Sequence, residues 1–423
     1  MRVILADQAL ADETGHYLNA ALALREALVV RGHSVEILGN VRASATFCLA
    51  HRIRPLFFFG FVPFDDRAVE LLPPKMTRRI RAARRLTKAI PLRSWRHRTR
   101  AALFSKPVVD RVALDWADAD MELRFTASDL VLINSADGRA AEGLLRWLVR
   151  IPVERRPQVT SILHYAPVMN APSHASSQER WRRAFNGARQ IEGIHFLADS
   201  PKLVESFAQL CGSHVGLVPI PHVISAETPS VPRAGPRIVL FLGVGTRTKG
   251  FHLLPEIIED LRPEIEQRRF RFIVQVNLLD TSPEMERAVV ALNRLPAALS
   301  DGPLTREAYY DLLRAADILL QPHDPEYYAV QTSGIFAEAR GLGLVTILPA
   351  RTLMAAEVAR TGGGIVVSNR TALGYANAVR DATEHYDQLA FEAREAARQW
   401  AREHSPETFI GALNGVLPAT HQL

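Results

Sequence analysis

An α/β protein of two Rossmann-like, doubly wound domains is the fold class that this sequence predicts, and three stretches predict it. The chain opens on a strand, a polar loop, a long amphipathic helix and a second strand (MRVILADQALADETGHYLNAALALREALVVRGHSVEIL). At mid-chain a segment rich in proline and small residues, Pro219 to Pro236, leads into another strand, glycine loop and helix, RIVLFLGVGTRTKGFHLLPEIIEDL. Later, Leu319 to Pro349 reads as strand, polar loop, Ser-Gly turn, short helix and strand, one unit of an open parallel sheet.

Arg2 to Ala6 forms the first strand. Leu18, Ala21, Leu22, Leu24 and Leu28 recur near helical spacing, Gly32 stops that helix, and Ser34 to Leu38 is the next strand. The first loop, ADQALADETGHYLN, lacks a G-x-G-x-x-G, which argues against a dinucleotide-dependent dehydrogenase. Further strands are expected at Leu130–Ile133, Gln158–His164, Gly193–Ala198 and Val215–Val218, with a helix over Glu142–Val149. His164 thus falls at a strand's carboxyl end, where loops of this class line a ligand site. A histidine hydrogen-bonded in the wall of that site accounts for the position equally well.

With 423 residues the chain needs more than one core, and 48% hydrophobic with 23% charged residues is ordinary for a globular protein. The expected layout is a first domain over 1–220, a linker over 221–236, a second domain over 237–390, and helices over 391–423 crossing back to the first. Two cysteines, Cys48 and Cys211, provide neither a disulfide framework nor zinc spacing, so a cytoplasmic setting is expected. No run approaches the ~20 apolar residues of a spanning helix. The formal charge of +6 calls for an acidic partner: nucleic acid, anionic lipid or a phosphorylated substrate. The basic segment 75–100, downstream of the aromatic run Phe57 to Phe64, reads either as an anionic-membrane contact at the inner face or as a solvated helix. No aromatic-interleaved nucleic-acid motif accompanies it, so nucleic acid is not expected as a partner. Asp118-Ala119-Asp120 has metal-binding spacing, yet its context is a surface helix face, and no metal site is expected.

In the second half, Asp317–Leu320 and Val345–Leu348 are buried strands flanking the helix Ile335–Arg340. Ser333 and Gly334 put free backbone N–H groups at that helix's N-terminus, a seat for a phosphate. Glu338 follows one turn later, placed for the paired hydroxyls of a ribose. Together they describe a nucleotide cradle.

The same stretch resembles the donor-site segment of GT-B glycosyltransferases, especially the retaining enzymes of glycosyltransferase family 4. Glu338-Ala339, Gly341 and Gly343-Leu344-Val345 carry the second half of that motif, while the first motif glutamate is replaced by Val330. Lys249-Gly250 keeps the family's spacing from Gly243, and Val244 stands where the family has arginine, leaving Arg247 as its stand-in. The resemblance covers nearly the whole chain, with its specific motifs between Arg237 and Val367. It implies two domains facing across a cleft (the GT-B architecture) and sugar transfer from a nucleotide-diphosphate sugar to a glycan or lipid-linked acceptor. It further implies retention and cell-surface polysaccharide synthesis, without a metal and with no cofactor beyond the donor. Lys249 and Arg247 would hold the diphosphate, with Gly15 facing it from the first domain. Leu304, after Gly302-Pro303, would meet the nucleobase, in front of a helix expected to bury Tyr309, Leu312 and Leu313. Tyr327, Tyr328, Gln331 and Thr332 lie where the sugar should sit, and His164 would contact the acceptor or the transferred sugar. Two alternatives remain open: a degenerate scaffold that binds a nucleotide or partner without transfer, suggested by the apolar Val244 and Val330, and a nucleotide-sugar epimerase, for which no carboxylate–histidine pair is evident.

Overall fold

The computed structural model describes residues 1–13, 17–59, 93–167, 174–221, 235–279 and 282–423. They form two compact units, Met1–Pro221 with Pro406–Leu423, and His222–Ser405. The expected linker 221–236 and the basic segment 75–100 lie largely outside the described residues, of which 93–100 open the long helix Arg93–Leu123.

Among the described residues unit 1 holds seven strands: β1 (Arg2–Ala6), β2 (Ser34–Asn40), β3 (Ile53–Phe57), β4 (Leu130–Ile133), β5 (Gln158–Leu163), β6 (Ile194–Ala198) and β7 (Gly216–Leu217). They lie in the order β3-β2-β1-β4-β5-β6-β7, every pair parallel. Unit 2 holds β8 (Arg237–Phe241), β9 (Phe270–Val276), β10 (Ala297–Asp301), β11 (Ile318–Leu320), β12 (Val345–Pro349) and β13 (Gly364–Val367). Their order, β10-β9-β8-β11-β12-β13, is again wholly parallel.

Parallel strands joined by crossover helices are covered on both faces, which is why LVLI of β4 and VTILP of β12 are buried at every residue. Below and above the second sheet the apolar faces close into two clusters, one around Phe272, Val274 and Ile347, the other around Leu240, Leu319 and Ile335. Several crossover helices begin where a short polar side chain satisfies first-turn amides: Asp137, Ser200, Thr305 and Thr352 accept such bonds, as does Thr371 before helix Ala372–Glu384. Losing one such cap typically costs ~1 kcal/mol. Ser333 occupies the same position before helix Gly334–Leu342, but its side chain makes no capping bond.

The fold adds elements that periodicity did not reveal. Helix Ala45–His51 with β3, the edge strand β10, and helices Pro283–Leu292, Leu353–Thr361 and Ala372–Glu384 are all short or built on broken apolar patterns. Of the helix Arg306–Ala315, it is Tyr310 and Leu313 that are buried, while Tyr309 and Leu312 are only partly covered. The last two helices separate. Helix Tyr386–Glu403 stays with unit 2, and only Pro406–Asn414 joins unit 1, so the break expected at 390 lies at Ser405. Gly363 shows why the former cannot leave: it sits at φ 73°, and a Cβ there would lie 2.4 Å from the Ala393 Cα. No helix of the described residues is long and apolar enough to cross a membrane.

Candidate functional site

Both sheets reverse their strand order once, between β1 and β4 in unit 1 and between β8 and β11 in unit 2. Loops leaving the carboxyl ends at such a reversal diverge and open a crevice for ligand. Several polar side chains that the fold leaves buried lie at these two places, among them Asp7, Ser135 and His164 in unit 1 and Gln321, His323 and Glu338 in unit 2.

In unit 2 the loop after β8 is bolted to the loop after β11. Thr248 O accepts the Asp324 N–H at 2.7 Å, and a Cβ on Gly250 (φ 75°) would fall 2.0 Å from Pro322 O, so only glycine fits. From β9, Gln275 ties the loop after β8 to the turn after β10, accepting from the Gly243 N–H at 2.8 Å and donating to Gly302 O at 3.0 Å. Lys249 rises in the middle. Its Nζ makes no hydrogen bond or ion pair among the described residues and would lie 3.3 Å from a Cβ on Gly243. Burial pushes its pKa down to about 8, opposed by the charge of Glu338.

Glu338, on helix Gly334–Leu342, is buried, and both its oxygens are engaged: Oε2 accepts from the Tyr309 hydroxyl at 2.5 Å and Oε1 from Tyr310 at 2.9 Å. Burial raises its pKa, against those two bonds and the charges of Lys249 and Arg306. A carboxylate offers about four lone-pair sites, so two remain. His323 is also buried, its ring 4.4 Å from that of Tyr328, with neither nitrogen partnered. Burial, then the charges of Lys249 and Arg370, hold it well below the ordinary imidazole range, so it is neutral. The Gln321 amide is likewise buried without a partner.

Arg247 does not join Lys249. Its exposed guanidinium pairs with Glu284 at the start of helix Pro283–Leu292, a carboxylate that the loop sequence by itself does not disclose. Tyr328 is packed against Phe336 and Met354 rather than lining an open loop. Thr332 is half-buried beside the buried Ser333, and Gly334 opens the helix. Leu304 packs partly against the Leu240 cluster, next to Gly302. Gly15 lies outside the described residues.

Unit 1 builds a second constellation from four strand ends. Asp7 follows β1 and accepts from Asn134 Nδ2 at 2.8 Å, Ser135 Oγ at 3.2 Å and the Ala9 amide at 2.8 Å. His164 follows β5, and its Nδ1 shares a 2.8 Å hydrogen bond with Oδ2 of Asp199, which follows β6. The carboxylate–histidine pair that the sequence did not reveal is therefore present. Burial works against a charge on His164, but the hydrogen bond and charge of Asp199 outweigh it and raise the pKa. Asp7 is itself raised, by burial first, against its three donors and the charge of His164. In D199N the attracting charge disappears, so the His164 imidazole is expected to titrate at lower pH than in the wild type. Histidine-resolved NMR checks this, and an unchanged titration would show that Asp199 does not hold the proton.

Asp118 and Asp120 sit within helix Arg93–Leu123, paired to Arg111 at 2.9 Å and Arg155 at 3.2 Å. Among the described residues no three His, Cys, Asp or Glu side chains cluster in a metal-holding arrangement.

No family model and no curated protein matches the sequence. Solved structures do match it over almost its whole length. HepE of Anabaena, solved with UDP and glucose, aligns at TM-score 0.63 and 14% identity, covering 99% of this chain and 100% of its own. WaaG, a glycosyltransferase involved in lipopolysaccharide biosynthesis, aligns at 0.58 and 15%, covering 96% and 97%. A putative UDP-N-acetylglucosamine 2-epimerase from Listeria monocytogenes aligns at 0.58 and 10%, covering 98% and 96%. At these identities the likeness establishes the fold: two parallel-sheet units of the GT-B kind.

Proposed function

We propose that the chain is a glycosyltransferase that moves a sugar from a nucleoside-diphosphate sugar to a glycan or lipid-linked acceptor. Lys249 carries the reading. A largely buried ammonium without a partner among the described residues, at a sheet's reversal point, is an incomplete ion pair, and a diphosphate completes it. The uncapped N-terminus at Ser333-Gly334 adds a partial positive charge of the same helix that bears Glu338. Gln321 and His323 offer neutral polar atoms for sugar hydroxyls where the family motif has the glutamate replaced by Val330. In transfer, Lys249 and the helix N-terminus would stabilise the negative charge developing on the departing diphosphate. His164, oriented by Asp199, would act on the acceptor side. By resemblance the reaction retains configuration, needs no metal and serves cell-surface polysaccharide synthesis; the low cysteine content suits the cytoplasmic side, and the basic composition of segment 75–100 suits a membrane-surface contact there.

Thermal-shift titration with UDP, GDP, ADP and CMP and their sugars tests the donor reading. One diphosphate should raise the melting temperature, and a hundredfold excess over Kd corresponds to about 2.7 kcal/mol. Absence of any shift overturns the reading. Binding without turnover in transfer assays would favour a scaffold that has lost transfer. A second reading, nucleotide-sugar epimerisation, is favoured by the His164–Asp199 pair, since proton transfer needs such a base. Release of an epimer in the absence of acceptor would distinguish it.

A further inference from the structure

Beside the unit 1 reversal point, the charges of helices Gly138–Leu148 and His174–Ala188 do not balance. Asp137 pairs with Arg139 at 2.5 Å, Glu142 with Arg183 at 2.8 Å, and Glu179 approaches Arg182 and Arg183 at 3.9 and 4.0 Å. Arg180 is left over. It is only 6% exposed, yet its guanidinium makes no hydrogen bond or ion pair among the described residues. Its position is fixed against the first turn of helix Gly138–Leu148, because a Cβ on Gly138 would lie 3.1 Å from the Arg180 Cβ. Its surroundings agree with that placement. Burial lowers its pKa, the nearby charges of Arg139 and Arg183 add to the lowering, and those of Asp137 and Glu142 oppose it.

A buried guanidinium keeps its charge at any physiological pH and normally finds a carboxylate or phosphate. Here the acids within reach are already matched to other arginines, and the helix N-terminus beside it repels a cation further. The arrangement is unfavourable in the free protein and becomes favourable only when an anion arrives. The planar fork suits the oxygens of a phosphate, which two parallel N–H donors grip together.

Resting on the glycosyltransferase reading, we propose that Arg180 is a phosphate-recognition residue for the acceptor, which therefore carries a phosphate group. The site belongs to unit 1 alone, separate from the diphosphate seat at Lys249 in unit 2. It assigns the acceptor to a chemical class, a phosphorylated sugar or a phosphate-bearing lipid.

Calorimetry on the full chain, with glucose, glucose 6-phosphate and vesicles containing phosphatidic acid, tests this in wild type and R180Q. The wild type is expected to bind a phosphorylated probe and not glucose, and the soluble and vesicle arms show which source is used. R180Q should weaken that binding by roughly tenfold or more, while the shift produced by the nucleoside diphosphate stays unchanged. Because Arg180 has no side-chain partner among the described residues of the free protein, R180Q should melt no lower than wild type. Equal phosphate affinity in R180Q, or no preference for either phosphorylated probe, overturns the proposal. A nucleoside diphosphate that fails to bind wild type would sink the donor reading separately.

Discussion

Replacing Lys249 with methionine is expected to weaken nucleoside-diphosphate binding by about tenfold to a hundredfold, and to raise the melting temperature of the ligand-free protein. Both effects come from one fact. The ammonium is largely buried without a partner among the described residues, so it costs the free fold stability and returns it only to an anion. The pH dependence follows. Burial lowers the pKa from the ordinary 10.5 to about 8, so between these values the unfolded chain holds more protons than the folded one. Wild-type stability should therefore rise as pH climbs from about 8 toward 10.5, narrowing its deficit against K249M. Diphosphate affinity should move the opposite way, falling in the wild type as the amine loses its proton above pH 8 and staying flat in K249M. Melting curves and calorimetry between pH 7 and 10 measure both. A variant that binds as tightly as wild type, or melts lower, would remove Lys249 from the site.

The second large effect belongs to Glu338. Leucine there deprives the Tyr309 and Tyr310 hydroxyls of their acceptors, a loss expected to cost about 2–4 kcal/mol in urea unfolding. Glutamine keeps one acceptor oxygen and should cost roughly half as much. Nucleotide binding separates this structural role from a functional one. If Glu338 also takes the ribose, E338Q should bind a ribonucleoside diphosphate more weakly while inorganic pyrophosphate binds as before. A glutamine variant indistinguishable from wild type in both measurements would leave Glu338 as neither support nor ligand.

The reason these residues were legible before the fold is that each sits where a buried strand gives way to a polar loop. Continuous apolar runs such as Asp317–Leu320 and Val345–Leu348 locate strand ends closely, and Lys249, Ser333 and His164 were found from them or from the loops they open. The same logic reaches Asp7 and Asp199, which directly follow β1 and β6. What sequence could not show is pairing. The His164–Asp199 bond spans 35 residues, the Gly243–Gln275 bond 32, and the Arg247–Glu284 pair 37. Each partner comes from a different strand or helix end, and only sheet order brings them together. Arg247 looked like a phosphate ligand because its carboxylate belongs to a helix whose existence the apolar pattern did not reveal. Arg180 was invisible for the converse reason: its importance lies in a surplus of charge that appears only once every neighbouring pair has been matched.

The return of helix Pro406–Asn414 to unit 1 has a consequence for synthesis. Unit 2 is one unbroken stretch, His222–Ser405, whereas the core around Val3, Leu5 and Leu18 is completed by Phe409, Ile410, Leu413 and Leu417. A ribosome making about 5–20 residues per second needs roughly 10–40 s to travel from Pro221 to Leu417. Over that interval the later unit is being made and is complete in sequence at Ser405, while the earlier one stays open along the groove its last helix will fill. The usual vectorial order is inverted: the half made first finishes folding last.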